Sequence, residues 1–152
     1  MKAREDFVTN SSSCSYVVMG ISVEKLQALA GVDIRQHLGQ MTLREWIQDG
    51  TLRELCIQNG QSYQKALQMD EDERYEDFID ELDDALYDSD LYNDVSYFDD
   101  IEDGHVGWGP WSMTDDETLG QFKERVARWI RDSYEIPVDS KDLDFHGASG
   151  WC

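Results

Sequence analysis

Apolar residues recur at intervals of three and four along two segments of the chain, which is the spacing of one face of an α-helix. In the first segment, Asp70 to Leu86, the repeating residues are Tyr75, Phe78, Ile79, Leu82 and Leu86. In the second, Asp115 to about Tyr134, they are Leu119, Phe122, Val126, Trp129 and Ile130. Each pattern predicts an amphipathic helix that buries one stripe of side chains and exposes the remainder.

Residues typical of helix ends predict where the helix of the second segment begins and ends, and they predict two shorter helices. Thr114-Asp115-Asp116-Glu117 has the form of a capping box, which predicts a helix start at Asp115, and Pro137 marks the stop. N-capping residues likewise predict short helices from Ser22 to Ala30 and from Thr42 to about Gln48. A glycine suited to a C-cap follows each of these two helices closely.

The remaining apolar runs are short and read mainly as strands. Ser15 to Ile21 is rich in β-branched and aromatic residues, and the glycine-rich tail from Leu143 to Trp151 predicts a final strand. Leu52 to Ile57 fits a strand or a helical turn equally well. Val95 to Ile101 favours an exposed strand or hairpin arm, and the glycines from Gly104 to Trp111 favour turns.

These elements predict an α+β fold in which several helices pack on a small, mainly antiparallel sheet. The chain of 152 residues has the usual size of one domain, and it contains no internal repeat and no long linker. We therefore expect a single domain over residues 1–152. The 40% hydrophobic fraction supplies enough apolar surface for a folded core.

The negative charge of the chain is large and is concentrated in one segment. The net charge is −20, and residues 70–103 hold 17 Asp and Glu residues against the single Arg74. So negative a chain is not expected to bind nucleic acid directly or an anionic membrane, and basic protein surfaces become the natural partners.

The predicted helix from Asp70 to Leu86 places many of these carboxylates opposite its apolar stripe. Along roughly 25 Å of helix they would provide about one charge per 3 Å, close to the phosphate spacing of about 3.4 Å along one DNA strand. The residues predicted to contact a partner are Glu73, Glu76, Asp77, Asp80, Glu81, Asp84, Asp88, Asp90, Asp99 and Asp100.

No residue pattern points to catalysis. Cys14, Cys56 and Cys152 are odd in number, lie far apart and lack a C-x-x-C pair, which favours free thiols over a disulfide framework or a zinc site. No apolar run is long enough for a membrane span and no signal-peptide core follows the N-terminus, so we expect a cytoplasmic protein. No catalytic residue and no cofactor are predicted.

An alternative is a small metal-dependent enzyme or metal-binding protein. His105 and His146 lie in glycine-rich segments and many carboxylates are available as further ligands. The spacing of these residues matches no established metal motif.

The N-terminal segment from Arg4 to Tyr16 contains Phe-Val-Thr-Asn followed by a serine run and an aromatic residue. It resembles a leader shared by many small uncharacterised proteins of bacteria, phages and mobile elements. The resemblance covers about a tenth of the chain and implies a bacterial or phage origin, without an activity. From the residues alone, the serine run predicts a tight polar loop.

The charge pattern and the leader together favour a non-enzymatic interaction protein that binds a basic, nucleic-acid-handling partner. One concrete form is a phage inhibitor that mimics DNA and blocks a host defence nuclease, as an anti-CRISPR or anti-restriction protein does.

Overall fold

A computed structural model describes residues 14–95 and 104–150. The elements in chain order are β1 (Cys14–Ser22), α1 (Val23–Ala30), α2 (Ile34–Asp49), α3 (Thr51–Gln58), α4 (Tyr63–Gln68), α5 (Glu71–Asp77), α6 (Ile79–Tyr87), α7 (Asp90–Val95), β2 (His105–Trp108), α8 (Leu119–Tyr134) and β3 (Asp144–Gly150). Short 3-10 turns lie at Pro110–Ser112 and Ser140–Asp142. The predicted α+β class with an antiparallel sheet is confirmed.

The described residues form two units. The sheet unit comprises residues 14–31, 94–95 and 104–150, and the helical unit comprises residues 32–93. The organisation of residues 1–152 as a single domain stays a prediction.

The sheet unit is built on three antiparallel strands in the order β2-β1-β3. Gly20 of β1 lies opposite Gly107 of β2, and the two strands approach closely at this point. A Cβ atom added at Gly20 would overlap the carbonyl oxygen of Val106, and one at Gly107 would overlap that of Met19. Only glycine fits at either position without moving the backbone.

Helices α1 and α8 contact the sheet and bury its apolar side chains. The fully buried residues here include Met19 and Ile21 of β1 and Phe122, Ile130 and Tyr134 of α8. The α8 stripe predicted from the sequence therefore faces the core, although Leu119 is exposed and Trp129 is only partly buried.

Helix α8 ends at Tyr134 as predicted, but it begins at Leu119 and not at Asp115. The capping box that starts it is formed by Thr118, whose hydroxyl accepts a hydrogen bond from the Gln121 backbone N–H while the Gln121 side chain accepts one from the Thr118 N–H. Thr114 and Glu117 instead close a separate turn. Two consecutive sequences of capping-box form, at residues 114–117 and 118–121, compete, and the second one starts the helix.

The helical unit is organised around α2, which contacts α3, α5 and α6. Its core consists of Leu43, Leu52, Cys56, Ala66, Tyr75, Phe78 and Leu82. Gly39 on α2 lies against the Tyr75 ring, because an added Cβ there would be 2.5 Å from the Tyr75 Cε1 atom. This glycine lets α5 pack directly on the α2 backbone.

The predicted helix start at Thr42 is wrong. Helix α2 begins eight residues earlier, at Ile34, where the Asp33 carboxylate accepts a hydrogen bond of 2.8 Å from the Arg35 N–H. Thr42 lies inside the helix, and its hydroxyl donates to the Leu38 carbonyl. A threonine hydroxyl satisfied in this way fits a helix interior as well as a cap. The predicted stop at Gly50 is confirmed by its φ of 87°.

Three further segments are decided by the structure. Leu52 to Ile57, which the sequence left open, belongs to helix α3. Val95 ends helix α7, so the predicted strand is wrong at that residue, and residues 96–103 lie outside the described chain. His105 to Trp108 forms strand β2 where turns were predicted. The predicted strand at 15–21 is confirmed, and the one predicted at 143–151 is found at Asp144–Gly150, one residue after Leu143.

Candidate functional site

The acidic segment forms two helices where one was predicted. The break is at Phe78, whose backbone has φ −113° and ψ 21° and which lies between α5 and α6. The predicted single helix is therefore interrupted at one residue, although helical hydrogen bonds from Phe78 N–H to the Arg74 carbonyl and from Leu82 N–H to the Phe78 carbonyl continue across the interruption. The predicted apolar stripe is confirmed, since Tyr75, Phe78, Leu82 and Leu86 are all buried.

Most of the predicted contact residues are solvent-exposed on this part of the helical unit. We call seven of them the open carboxylates: Glu73, Glu76, Asp77, Asp80, Asp84, Asp88 and Asp90. Glu81 differs, because it is partly buried and accepts a hydrogen bond of 3.1 Å from the Asn59 side chain. Asp99 and Asp100 lie outside the described residues.

The open carboxylates are not neutralised by basic side chains within residues 14–95 and 104–150. The described ion pairs are Lys25–Asp142, Arg125–Glu117, Arg131–Glu124 and Lys141–Asp139, all in the sheet unit. Arg125 illustrates the contrast, because its guanidinium both binds Glu117 at 2.8 Å and stacks 5.0 Å from the Trp108 ring. Charge is thus internally paired around α8 and left unpaired along α5 and α6.

Arg74 is the single basic residue among the acids of residues 70–103, and it makes hydrogen bonds to backbone oxygens. Its Nε donates to the Ala66 carbonyl at 2.9 Å, and its Nη2 donates to the carbonyls of Leu67 at 3.2 Å and Met69 at 2.7 Å. These carbonyls lie at the end of α4, where a helix leaves its last carbonyls without helical partners, and the Ala66 carbonyl also accepts a hydrogen bond from the Met69 N–H. Arg74 therefore fastens α5 to the C-terminal end of α4.

We expect the substitution Arg74→Met to lower the free energy of unfolding of the helical unit by about 2 kcal/mol, because three charge-assisted hydrogen bonds are lost and the stem is kept. Chemical denaturation followed by circular dichroism measures this. Arg53→Met is the matched control, since Arg53 only stacks on the Tyr63 ring at 5.4 Å. Equal effects of the two substitutions would contradict the role assigned to Arg74.

A shallow depression lies beside the open carboxylates. Its volume is about 380 Å³ and it is lined by Met69, Asp72, Glu73, Glu76 and Asp77. Asp72 is held in place because its Oδ1 accepts hydrogen bonds from the side-chain amides of Gln36 and Gln40, at 2.9 and 3.0 Å. Sequence reasoning missed Met69 and Asp72, because their contribution depends on how α2, α4 and α5 pack together.

The two histidines of the alternative prediction do come together. The rings of His105 on β2 and His146 on β3 have their centres 4.5 Å apart, with 32° between their planes. Burial lowers the pKa of His105, and the neighbouring His146 lowers it further, because both favour the uncharged imidazole. In the described part of the chain, no group of three or more His, Cys, Asp or Glu residues has an arrangement that could hold a metal ion.

Cys56 is buried in the helical core, and burial raises the pKa of its thiol, which disfavours the reactive thiolate. No helix within residues 14–95 or 104–150 has both the length and the apolar character needed to cross a bilayer.

Comparison with known proteins does not assign a function to these residues. No protein-family model, curated protein or solved structure matches the chain. The leader from Arg4 to Tyr16 lies almost wholly outside the described residues, and its resemblance stays a prediction.

Proposed function

We propose that this chain is a non-enzymatic, cytoplasmic interaction protein whose open carboxylates bind a basic surface of a nucleic-acid-handling protein. One observation carries the proposal: seven exposed carboxylates, six on α5, α6 and α7 and Asp88 between α6 and α7, have no basic partner within the described residues. A partner that supplies Lys and Arg side chains would relieve their mutual repulsion and gain charge-assisted hydrogen bonds.

The contacts that hold α5 and α6 in place favour a surface that is already formed before a partner binds. Tyr75, Phe78 and Leu82 are buried in the helical core, and Arg74 fastens α5 to α4. Carboxylates held in place in this way lose little conformational freedom on binding, so more of the electrostatic attraction appears as affinity. Like charges close together along a helix lower its stability, and α5 and α6 form despite this repulsion.

A nucleic-acid channel is the kind of basic surface that fits best. Such channels bind a flexible row of phosphates through Lys and Arg, with little dependence on sequence. The open carboxylates present oxyanions of the same charge in a row that breaks at Phe78. A phage inhibitor that occupies the channel of a host defence nuclease, as an anti-CRISPR or anti-restriction protein, is the concrete form we propose.

The test is capture of proteins from nuclease-treated lysate of the native host on the immobilised chain. We expect a basic, nucleic-acid-handling protein to be retained at low salt, to elute as salt rises, and to be displaced by added duplex DNA. The variant Glu73→Gln, Glu76→Gln, Asp77→Asn and Asp80→Asn should weaken this retention at least about tenfold.

A control variant removes the same amount of charge from the sheet unit. It carries Glu24→Gln, Asp115→Asn, Asp116→Asn and Asp132→Asn, all at exposed positions. Retention that falls equally in both variants would mean that only net charge matters, and the assigned surface would be wrong. Retention that DNA does not displace would remove the nucleic-acid channel from the proposal.

A further inference from the structure

The histidine pair of the sheet unit is built by the two outer strands. His105 lies opposite Ser22 across the β2–β1 pairing, and His146 lies opposite Val18 across the β1–β3 pairing. The two positions lie four residues apart along β1 on the same face of the sheet, with Gly20 between them, so it is the side chains and not the strand register that bring the rings together. Both residues are partly buried, and the His105 Nδ1 atom is itself buried.

The ring centres are 4.5 Å apart, a separation found in stacked aromatic rings and also reached by two imidazoles bound to one metal ion. A metal–nitrogen bond is about 2.0–2.1 Å long and the ring centre lies about 1.1 Å beyond the nitrogen, so ligands at about 90° have ring centres about 4.5 Å apart. At the tetrahedral angle of about 109° the same calculation gives about 5.2 Å. The observed distance of 4.5 Å corresponds to the first arrangement.

We propose that His105 and His146 form a two-imidazole site for a late first-row divalent transition metal, with Cu²⁺ bound most tightly. Imidazole nitrogens suit Cu²⁺, Ni²⁺ and Zn²⁺, and ligands at right angles are typical of the tetragonal geometry of Cu²⁺ and Ni²⁺. Water fills the remaining coordination positions, because the described residues supply no third ligand. The site is independent of the acidic surface, since it lies wholly in the sheet unit.

The surroundings of the pair favour a cation. Asp144 lies two residues before His146 on β3, so its exposed carboxylate is on the same face of the strand as that imidazole. The net charge of −20 raises the local concentration of cations further. A bound metal would join β2 to β3 across β1, so the sheet unit should become more stable when it binds.

The experiment titrates the full chain with Cu²⁺, Ni²⁺ or Zn²⁺ alone, in excess Mg²⁺ that occupies carboxylate sites for hard cations. We expect one metal bound per chain, an affinity order with Cu²⁺ first, and a rise of about 5–10 °C in Tm at a metal concentration about a hundred times Kd. In the NMR spectrum of the unmodified chain, Zn²⁺ should shift the imidazole signals of His105 and His146.

Three single variants give the controls. His105→Asn and His146→Asn should each weaken binding at least about tenfold, whereas His37→Asn, in the helical unit, should bind as the unmodified chain does. Metal binding that is insensitive to both pair variants would overturn the proposal. So would unchanged imidazole signals of His105 and His146 at saturating Zn²⁺, a result that does not depend on whether a variant folds.

Discussion

Gly20→Ala is expected to lower the free energy of unfolding of the sheet unit by about 3 kcal/mol or more. The added methyl group would overlap the carbonyl oxygen of Val106, which belongs to the backbone of β2 and cannot rotate away. The strands must then separate, which breaks the β1–β2 hydrogen bonds around Gly107. Chemical denaturation measures the loss, and faster amide exchange in β1 and β2 locates it.

Gly147→Ala is the matched control for this prediction. Gly147 lies in β3 of the same sheet, and no atom lies within 4 Å of the position a Cβ would take. Its substitution should change stability by no more than about 0.5 kcal/mol. If Gly20→Ala lowered the free energy of unfolding as little as Gly147→Ala, the close approach assigned to β1 and β2 would be incorrect.

Gly107→Ala should also lower the free energy of unfolding. The double variant Gly20→Ala with Gly107→Ala should lose less than the sum of the two single losses, because both substitutions disrupt the same strand contact.

The contrast between these glycines shows where sequence reasoning stops. A pattern of apolar residues indicates which face of a segment is buried, and it did so correctly for α5, α6 and α8. It carries no information about which strand lies opposite Gly20. Only the pairing of Gly20 with Gly107 shows why a side chain is excluded at position 20.

Helix boundaries were predicted well where one residue had no competitor. Gly31 and Gly50 end α1 and α2 with φ of 81° and 87°, a conformation in which glycine is strongly favoured. Starts were predicted poorly where several capping residues follow one another. Thr118 takes the role expected of Thr114, and Asp33 takes the role expected of Thr42.

The acidic site shows a similar division. Local charge density and helical periodicity were sufficient to find the open carboxylates and their apolar support. They were not sufficient to find the helix break at Phe78, the burial of Glu81, or the use of Arg74 as a cap for α4. Each of these depends on a contact between helices that are distant in sequence or differently oriented, and periodicity within one segment does not report such contacts.

The histidines were named from the sequence only because both lie in glycine-rich segments. They can meet because β2 and β3 both flank β1 in the sheet, although 35 residues that include α8 separate β2 from β3. That order was not predicted, since His105 was placed in a turn. A pair of metal-binding residues becomes visible only when the sheet topology is known.

Phe78→Ala is expected to cost about 3–5 kcal/mol in the helical unit, the usual loss for a buried phenylalanine truncated to alanine. Phe78 is 1% exposed and packs in the core that carries both acidic helices. Because it is also the residue between α5 and α6, the cavity left by its ring should loosen the junction of the two helices as well as destabilise the unit. Denaturation curves give the first effect, and amide exchange in α5 and α6 gives the second.

Tyr87→Ala is the control for Phe78→Ala. It removes an aromatic side chain from the same acidic segment, but an exposed one. Tyr87 is the last residue of α6 and is 77% exposed, so its truncation should change stability by less than about 0.5 kcal/mol. Both variants keep every carboxylate. If the open carboxylates act as a fixed surface, retention of the basic partner should fall in Phe78→Ala and persist in Tyr87→Ala. Undiminished retention in Phe78→Ala would mean that the partner responds to local charge alone, and that the fold contributes nothing to its recognition.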